Sequence, residues 1–460
     1  MRSTSTKRGL WGAAILVLAL AGCGGSAAPS AAATTASSGG SPNSTAASTP
    51  ASKPAGSPAS ATGPTGSTSA SSSPAGSAAQ VTGPTPGVTD TEIVLGANVP
   101  LTGPATALLL TNAGAKAYFD DVNDQGGING RKIRYVYKDD GYDPGKTVQA
   151  VRELVESDKI FAMFNGIGTA TSLAALPYLA QQGVPDMYVG SGSVAFSDVQ
   201  KYPNVFGWQI NNTSEGKIIG AYIAKTYPGK KVGLLFQNDD FGQHMEQGFE
   251  TGIGSANPVV SKQPYEASAT SLSTQAAALK NAGAEIVPLA ASLNFVVQFV
   301  KAADAMDYHP QFAFNWSSGD PNLFKLVGDP KLVEGAITDE FMPLYTDTSN
   351  PKVASYKAVW DKRGDGKPFG VLVMYGMAEA QTMVKTLQLA GKDLTRPGLI
   401  KAAESLQNYT DTVVSVPFGF SATDHSGITS AQMVQIKNGD FQYFPSIFSA
   451  TIPGPVTVKS

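Results

Sequence analysis
The chain has 460 residues, 33 Lys and Arg against 36 Asp and Glu, a formal net charge of −3, and one cysteine. No basic stripe or Lys/Arg cluster breaks this near balance, which argues against a nucleic acid partner. The single cysteine excludes an intrachain disulfide.

In chain order, Arg2, Lys7 and Arg8 precede an apolar run, Leu10 to Leu20, that is short for a membrane span. The run closes on Leu20, Ala21, Gly22 and Cys23, which resembles a bacterial lipobox. Residues 1–22 are therefore expected to be a lipoprotein signal peptide, and Cys23 the lipidation site and membrane anchor. Residues 24–87 are Ala, Ser, Thr, Gly and Pro with one charge, Lys53, and one larger aliphatic residue, Val81. Such a stretch buries too little apolar surface to offset ordering entropy, so residues 23–87 are expected to form a disordered tether. As a flexible coil it would span about 40–50 Å.

Residues 88–460 exceed what one hydrophobic core usually serves, so two lobes are expected. Ile93 to Val99 is an apolar run with strand character. Ala115, Phe119 and Val122 share one helix face, and Gly126 and Gly127 stop that helix. Lys132 to Lys138 is a second strand. Asp143 and Pro144 follow as the N-cap and first residue of a helix. Together these form a β-α-β unit, which implies a parallel sheet with right-handed crossovers. The alternation continues with a strand at 161–164, a helix at 171–182 made irregular by Pro177, a strand at 184–189, and an extended segment at 206–210. A helix at 214–227, a strand at 231–236 and a helix starting near Phe241 come next. Helices at 272–282 and 295–306 and strands at 285–289 and 312–314 complete the pattern. The fold class is α/β with parallel sheets.

In such sheets ligands sit at the carboxyl ends of strands. Five loops at those ends share one chemistry: residues 165–171, 190–193, 237–242, 290–294 and 315–319 are small, hydroxyl-rich and amide-rich. Hydroxyls and backbone N–H groups at helix N-termini bind carboxylates well. The three histidines, His244, His309 and His425, form no recognisable triad or zinc motif and are expected at the surface or in loops. Gly145 to Thr147 has the tail of a phosphate loop, but Asp140 stands where its first glycine is needed. Neither an enzyme nor a cofactor is expected. Trp208, Phe241, Trp316 and Tyr375 are compatible with an apolar cleft or with the core.

The segments Val99–Pro104, Gly126–Arg131, Asp139–Asp140, Asp143–Pro144, Val184–Pro185, Asn238–Gly242 and Phe369–Tyr375 resemble the type I periplasmic solute-binding proteins of ABC importers, in the branched-chain amino acid group. The resemblance spans roughly residues 90–445. It implies two Rossmann-like lobes joined by three hinge crossings, with residues 88–210 and 342–430 in lobe 1 and 211–341 and 431–460 in lobe 2. The ligand is then a small amino acid or other organic acid held in the interlobe cleft. The partners are an ABC permease and ATPase and, through Cys23, the extracytoplasmic face of the cell membrane. A sensory or regulatory receptor on the same fold is the alternative.

Carried over one by one, Gly168 and Thr169 and then Ser191 and Ser193 take the places that hold the ligand's carboxylate and amine. Phe241 and Tyr375 match covering aromatics, and Trp316 joins them. Two departures stand out. The acid that pairs with a ligand ammonium falls near Ser317 or Ser318, and an expected tyrosine falls where Leu108 stands. Trp208–Gln209 and the approach Lys201–Asn204 resemble a subgroup that takes other small organic acids, aromatic ones included.

Overall fold
The computed structural model describes residues 85–103, 105–452 and 454–459. The expected signal peptide, Cys23 and nearly all of the expected tether lie outside the described residues. At the tether's inner end, Thr85 Oγ1 donates to Leu394 O and the Gly87 carbonyl accepts from Val94 N.

The first sheet is laid down by a regular alternation. Its elements are β1 (Glu92–Val99), α1 (Leu109–Asp124), β2 (Lys132–Asp139), α2 (Pro144–Glu156), β3 (Ala162–Phe164), α3 (Thr169–Gln182), β4 (Asp186–Val189) and β5 (Val205–Gly207). The strands run in the order β2-β1-β3-β4-β5, every neighbouring pair parallel. β1 is buried along almost its whole length, as a central parallel strand covered on both faces must be. Asp143 caps α2 by accepting from Lys146 N, with Pro144 as its first residue. α3 starts two residues before its expected start and keeps Pro177 inside. Leu176, Tyr178 and Leu179 are all buried there, and that packing outweighs the lost backbone bond.

The chain then crosses to a second sheet. α4 (Asn212–Thr226), β6 (Val232–Gln237), α5 (Asp240–Ile253), β7 (Val259–Tyr265), α6 (Ser273–Asn281), β8 (Ile286–Ala290), α7 (Leu293–Asp304), β9 (Gln311–Phe314), α8 (Asn322–Val327) and β10 (Ile337–Glu340) follow in sequence. A return crossing brings α9 (Pro351–Arg363), α10 (Val371–Ala390) and α11 (Arg396–Glu404) back to the first lobe, where α10 packs along α1. That contact is close: a Cβ on Gly376 would lie 1.8 Å from Thr111 O, and one on Gly114 would lie 2.2 Å from Val373 O. The third crossing returns to β11 (Ser430–Lys437), β12 (Asp440–Ala450) and β13 (Val456–Lys459). The second sheet is ordered β13-β12-β11-β10-β9-β8-β6-β7, parallel from β7 to β10 and antiparallel beyond. The result is a two-lobed α/β fold.

His425 lies in the loop between α11 and β11, but inside the fold and not at its surface. Its ring is fully buried, stacks on Phe206 with centroids 3.7 Å apart, and places Nδ1 2.8 Å from Val205 O. Trp208 is a core residue whose Nε1 donates to Thr382 Oγ1 at 3.0 Å.

Candidate functional site
The strand ends converge on one cavity of about 120 Å³ between the lobes, and all five hydroxyl- and amide-rich loops contribute to its wall. On the first-lobe side, β3 and β4 end together. Gly168 N donates to Gly190 O, and Gly190 N to Gly166 O. Gly168 is the N-cap of α3 and adopts φ 100° with no side-chain cap. A Cβ there would meet Thr171 Oγ1 at 2.5 Å and the Tyr142 ring at 2.6 Å, so only glycine fits. The amides of the first helical turn are thus left without a side-chain acceptor, at the positive end of the helix dipole. Beside them Thr169 Oγ1 and Ser191 Oγ lie 2.6 Å apart, both residues buried. Asn212 from the start of α4 lines the same wall. Its backbone N donates to Gly192 O, and its buried Nδ2 has no protein partner among the described residues.

The second-lobe side carries a carboxyl group. Asn211 caps α4 through Ser214 N, which sets the first turn and points Glu215 at the cavity wall. Glu215 Oε1 accepts from Trp316 N at 2.8 Å. Burial, and after it the neighbouring Asp339 carboxyl, pushes Glu215 well above the usual carboxylate range; the Trp316 N–H opposes this only in part. Glu340 is raised too, by burial and then by Asp339 and Asp320. Among the described residues, no Lys or Arg lines the cavity. The wall therefore offers hydroxyls, amides and a helix terminus, and no cation among the described residues.

The aromatic side is a stack. Tyr375 from α10 lies on Trp316 with centroids 5.2 Å apart and planes 21° from parallel, and its hydroxyl donates to Gln209 Oε1 at 2.9 Å. Phe241, half-buried at the start of α5, and Tyr142 close the wall.

The cavity thus gathers Leu108, Gly168, Thr169, Ser191, Phe241, Trp316, Ser317 and Tyr375. Ser193 is not brought to it: the Ser193 hydroxyl accepts from Ala195 N and starts a short helical turn. Ser317 is present with its hydroxyl accepting from Asn315 Nδ2 at 2.7 Å, whereas Ser318 turns away to donate to Ala291 O. Sequence reasoning missed Glu215, Asn212 and Tyr142. The signal for Glu215 and Asn212 was the Asn211 capping position opening α4 on the cleft side. Tyr142 sits at φ 61°, a left-handed turn after Gly141, and supplies an aromatic where Leu108 alone was expected.

This architecture, two α/β lobes with three crossings and a polar cavity at the strand ends, is that of a solute-binding protein. Residues 92–440 match the family model described as periplasmic binding protein. The chain belongs to that family, as a type I member of its branched-chain amino acid group. An amino acid binding protein of Pseudomonas aeruginosa is 23% identical over 64% of this chain and 77% of its own length. Among solved structures, a branched-chain amino acid ABC transporter protein from Thermus thermophilus with bound valine superposes with a TM-score of 0.72. It is 18% identical and is covered over 98% of its length and 79% of this chain. A fatty acid ABC transporter substrate-binding protein from Thermomonospora curvata has a TM-score of 0.71 and 22% identity, with coverage of 80% of this chain and 95% of its own. The family implies an extracytoplasmic location, and no described helix is long and apolar enough to cross a membrane.

Proposed function
We propose that the chain captures a small carboxylate-bearing solute, an amino acid or another organic acid, by closure of its two lobes and delivers it to an ABC importer. The carrying observation is the uncapped N-terminus of α3 with Thr169 Oγ1 and Ser191 Oγ 2.6 Å apart beside it. Hydroxyl and amide donors converge there without a competing cation, and such a site favours a carboxylate. Thr169 and Ser191 hold the carboxylate, and Asn212 Nδ2 adds a donor. Trp316, Tyr375 and Phe241 cover the body of the solute as the second lobe closes. An ammonium on the solute meets Glu215; an amine-free acid meets the same group as a neutral carboxyl. Lipid on Cys23 holds the receptor at the extracytoplasmic face of the membrane, within reach of its permease. The relatives' ligands, valine in one and a fatty acid in another, fit this range of acids.

A thermal-melt screen of aliphatic amino acids, aromatic carboxylates and amine-free aliphatic acids tests the reading. A ligand at a hundred times its dissociation constant adds about 2.7 kcal/mol. Stabilisation by members of one acid class supports it; an unchanged melt with every acid contradicts it.

A further inference from the structure
The polar cavity does not end at its own wall. A second chamber of about 150 Å³ adjoins it and shares Leu108, Tyr142, Gln237, Ser292, Ser317 and Leu372 as a common boundary. Beyond that boundary the lining turns apolar, with Ala107, Ala267, Leu293, Phe295 and Val371. Phe295 is fixed against Tyr265, with ring centroids 4.7 Å apart. Asp320, the one acid among the described residues of this chamber, is buried and accepts from Asn322 N at 2.6 Å. No Lys or Arg among the described residues lines the chamber. The compartment as a whole therefore has a carboxylate end at α3 and an apolar end between the start of α7 and the start of α10. Both lobes contribute to each end, so closure encloses them together.

We propose that the site takes acids whose apolar body is longer than that of valine or leucine, an extended acyl chain running past Leu108 and Leu372 into the second chamber. This rests on the carboxylate reading above and deepens it. A short solute fills the polar chamber and leaves the apolar one in contact with water. A longer one removes that surface from water, and each added methylene contributes until the chamber is full. Polar contacts fix the head, and the apolar wall sets the preferred length.

The test is calorimetric titration of the full chain with butanoate, hexanoate, octanoate and decanoate. Affinity is expected to rise about fourfold per methylene and to level off once the chamber is filled. In Ala267→Trp, which places an indole in the apolar chamber, the ratio of octanoate to butanoate affinity is expected to collapse. Equal affinities along the series, or an undiminished ratio in a folded Ala267→Trp protein, overturn the inference and leave the carboxylate reading standing. Failure of every acid in the series to bind overturns the inference and leaves the carboxylate reading to the amino acids and aromatic carboxylates of the thermal-melt screen. If Ala267→Trp does not fold, the length series on the native chain decides alone.

Discussion

Thr169 Oγ1 and Ser191 Oγ stand 2.6 Å apart although 22 residues separate them in the chain. The contact exists because β3 and β4 are neighbours in a parallel sheet and end at the same level. One hydroxyl starts α3 and the other follows β4, so two adjacent strand ends build a single corner of hydroxyl groups. Replacing Thr169 with Val keeps the shape and removes the hydroxyl. A hydrogen bond to a charged group contributes about 1.5–3 kcal/mol. The affinity for an acid ligand should fall about 10- to 100-fold in calorimetric titration, with the unliganded melting temperature changed far less.

Glu215 tests the opposite wall. Burial and Asp339 raise its pKa, so the folded chain holds a proton there that the unfolded chain gives up. Below the unfolded value both states are protonated and no penalty exists. As pH rises above it, the unfolded state ionises first, and native stability falls toward the raised folded value. Glu215→Gln keeps an acceptor for Trp316 N and removes the acid. Melts from pH 4 to 9 should show a shallower loss of stability in the variant. A steeper loss would mean that the Glu215 carboxyl stabilises the fold as an anion.

Asp186 provides the same test away from the cavity. Burial alone pushes it to about 7, and its Oδ1 has no partner among the described residues. The sign is the same: stability is lost as pH rises from the ordinary Asp range to about 7. The slope contributed over that window is on the order of 1.4 kcal/mol per pH unit. Asp186→Asn should remove this slope while leaving ligand affinity unaltered, as read by melts and titration on one preparation.

Trp316 provides an optical readout. It lies in the cavity wall against Tyr375, whereas Trp360 is buried in α9 with Nε1 donating to Lys367 O. Ligand binding should change tryptophan emission in the native chain and in Trp360→Phe, and the change should be largely lost in Trp316→Phe.

The alternating core of the fold was readable because each element from β1 to β9, except β7, pairs an apolar run with its own stop signal. β7 escaped notice: Val259–Tyr265 is a half-exposed edge strand that carries Lys262 and Pro264. The β11–β12 hairpin was also missed, although Asn438 and Gly439 both take positive φ at its two-residue turn. The expectations for Thr169 and Ser191 followed from loop position, and that for Tyr375 from the start of the long helix, within the family pattern. Glu215 did not, because a glutamate in the first turn of a helix reads as a favourable dipole partner on the surface. Only the tertiary crossing of α4 beneath the loop carrying Trp316 turns it inward. The burial of His425 in its loop was missed for the same reason, since nothing local in the sequence announces its stacking on Phe206.

The most direct measurement compares each acid with its amide on the same chain: valine with valinamide, benzoate with benzamide, hexanoate with hexanamide. Thermal melts are run on the native chain and on Thr169→Val/Ser191→Ala. At least one acid should stabilise the native chain while its amide does not, and the stabilisation should vanish in the double variant. An amide that stabilises as well as its acid, or an acid whose effect survives loss of both hydroxyls, would contradict a carboxylate held at Thr169 and Ser191.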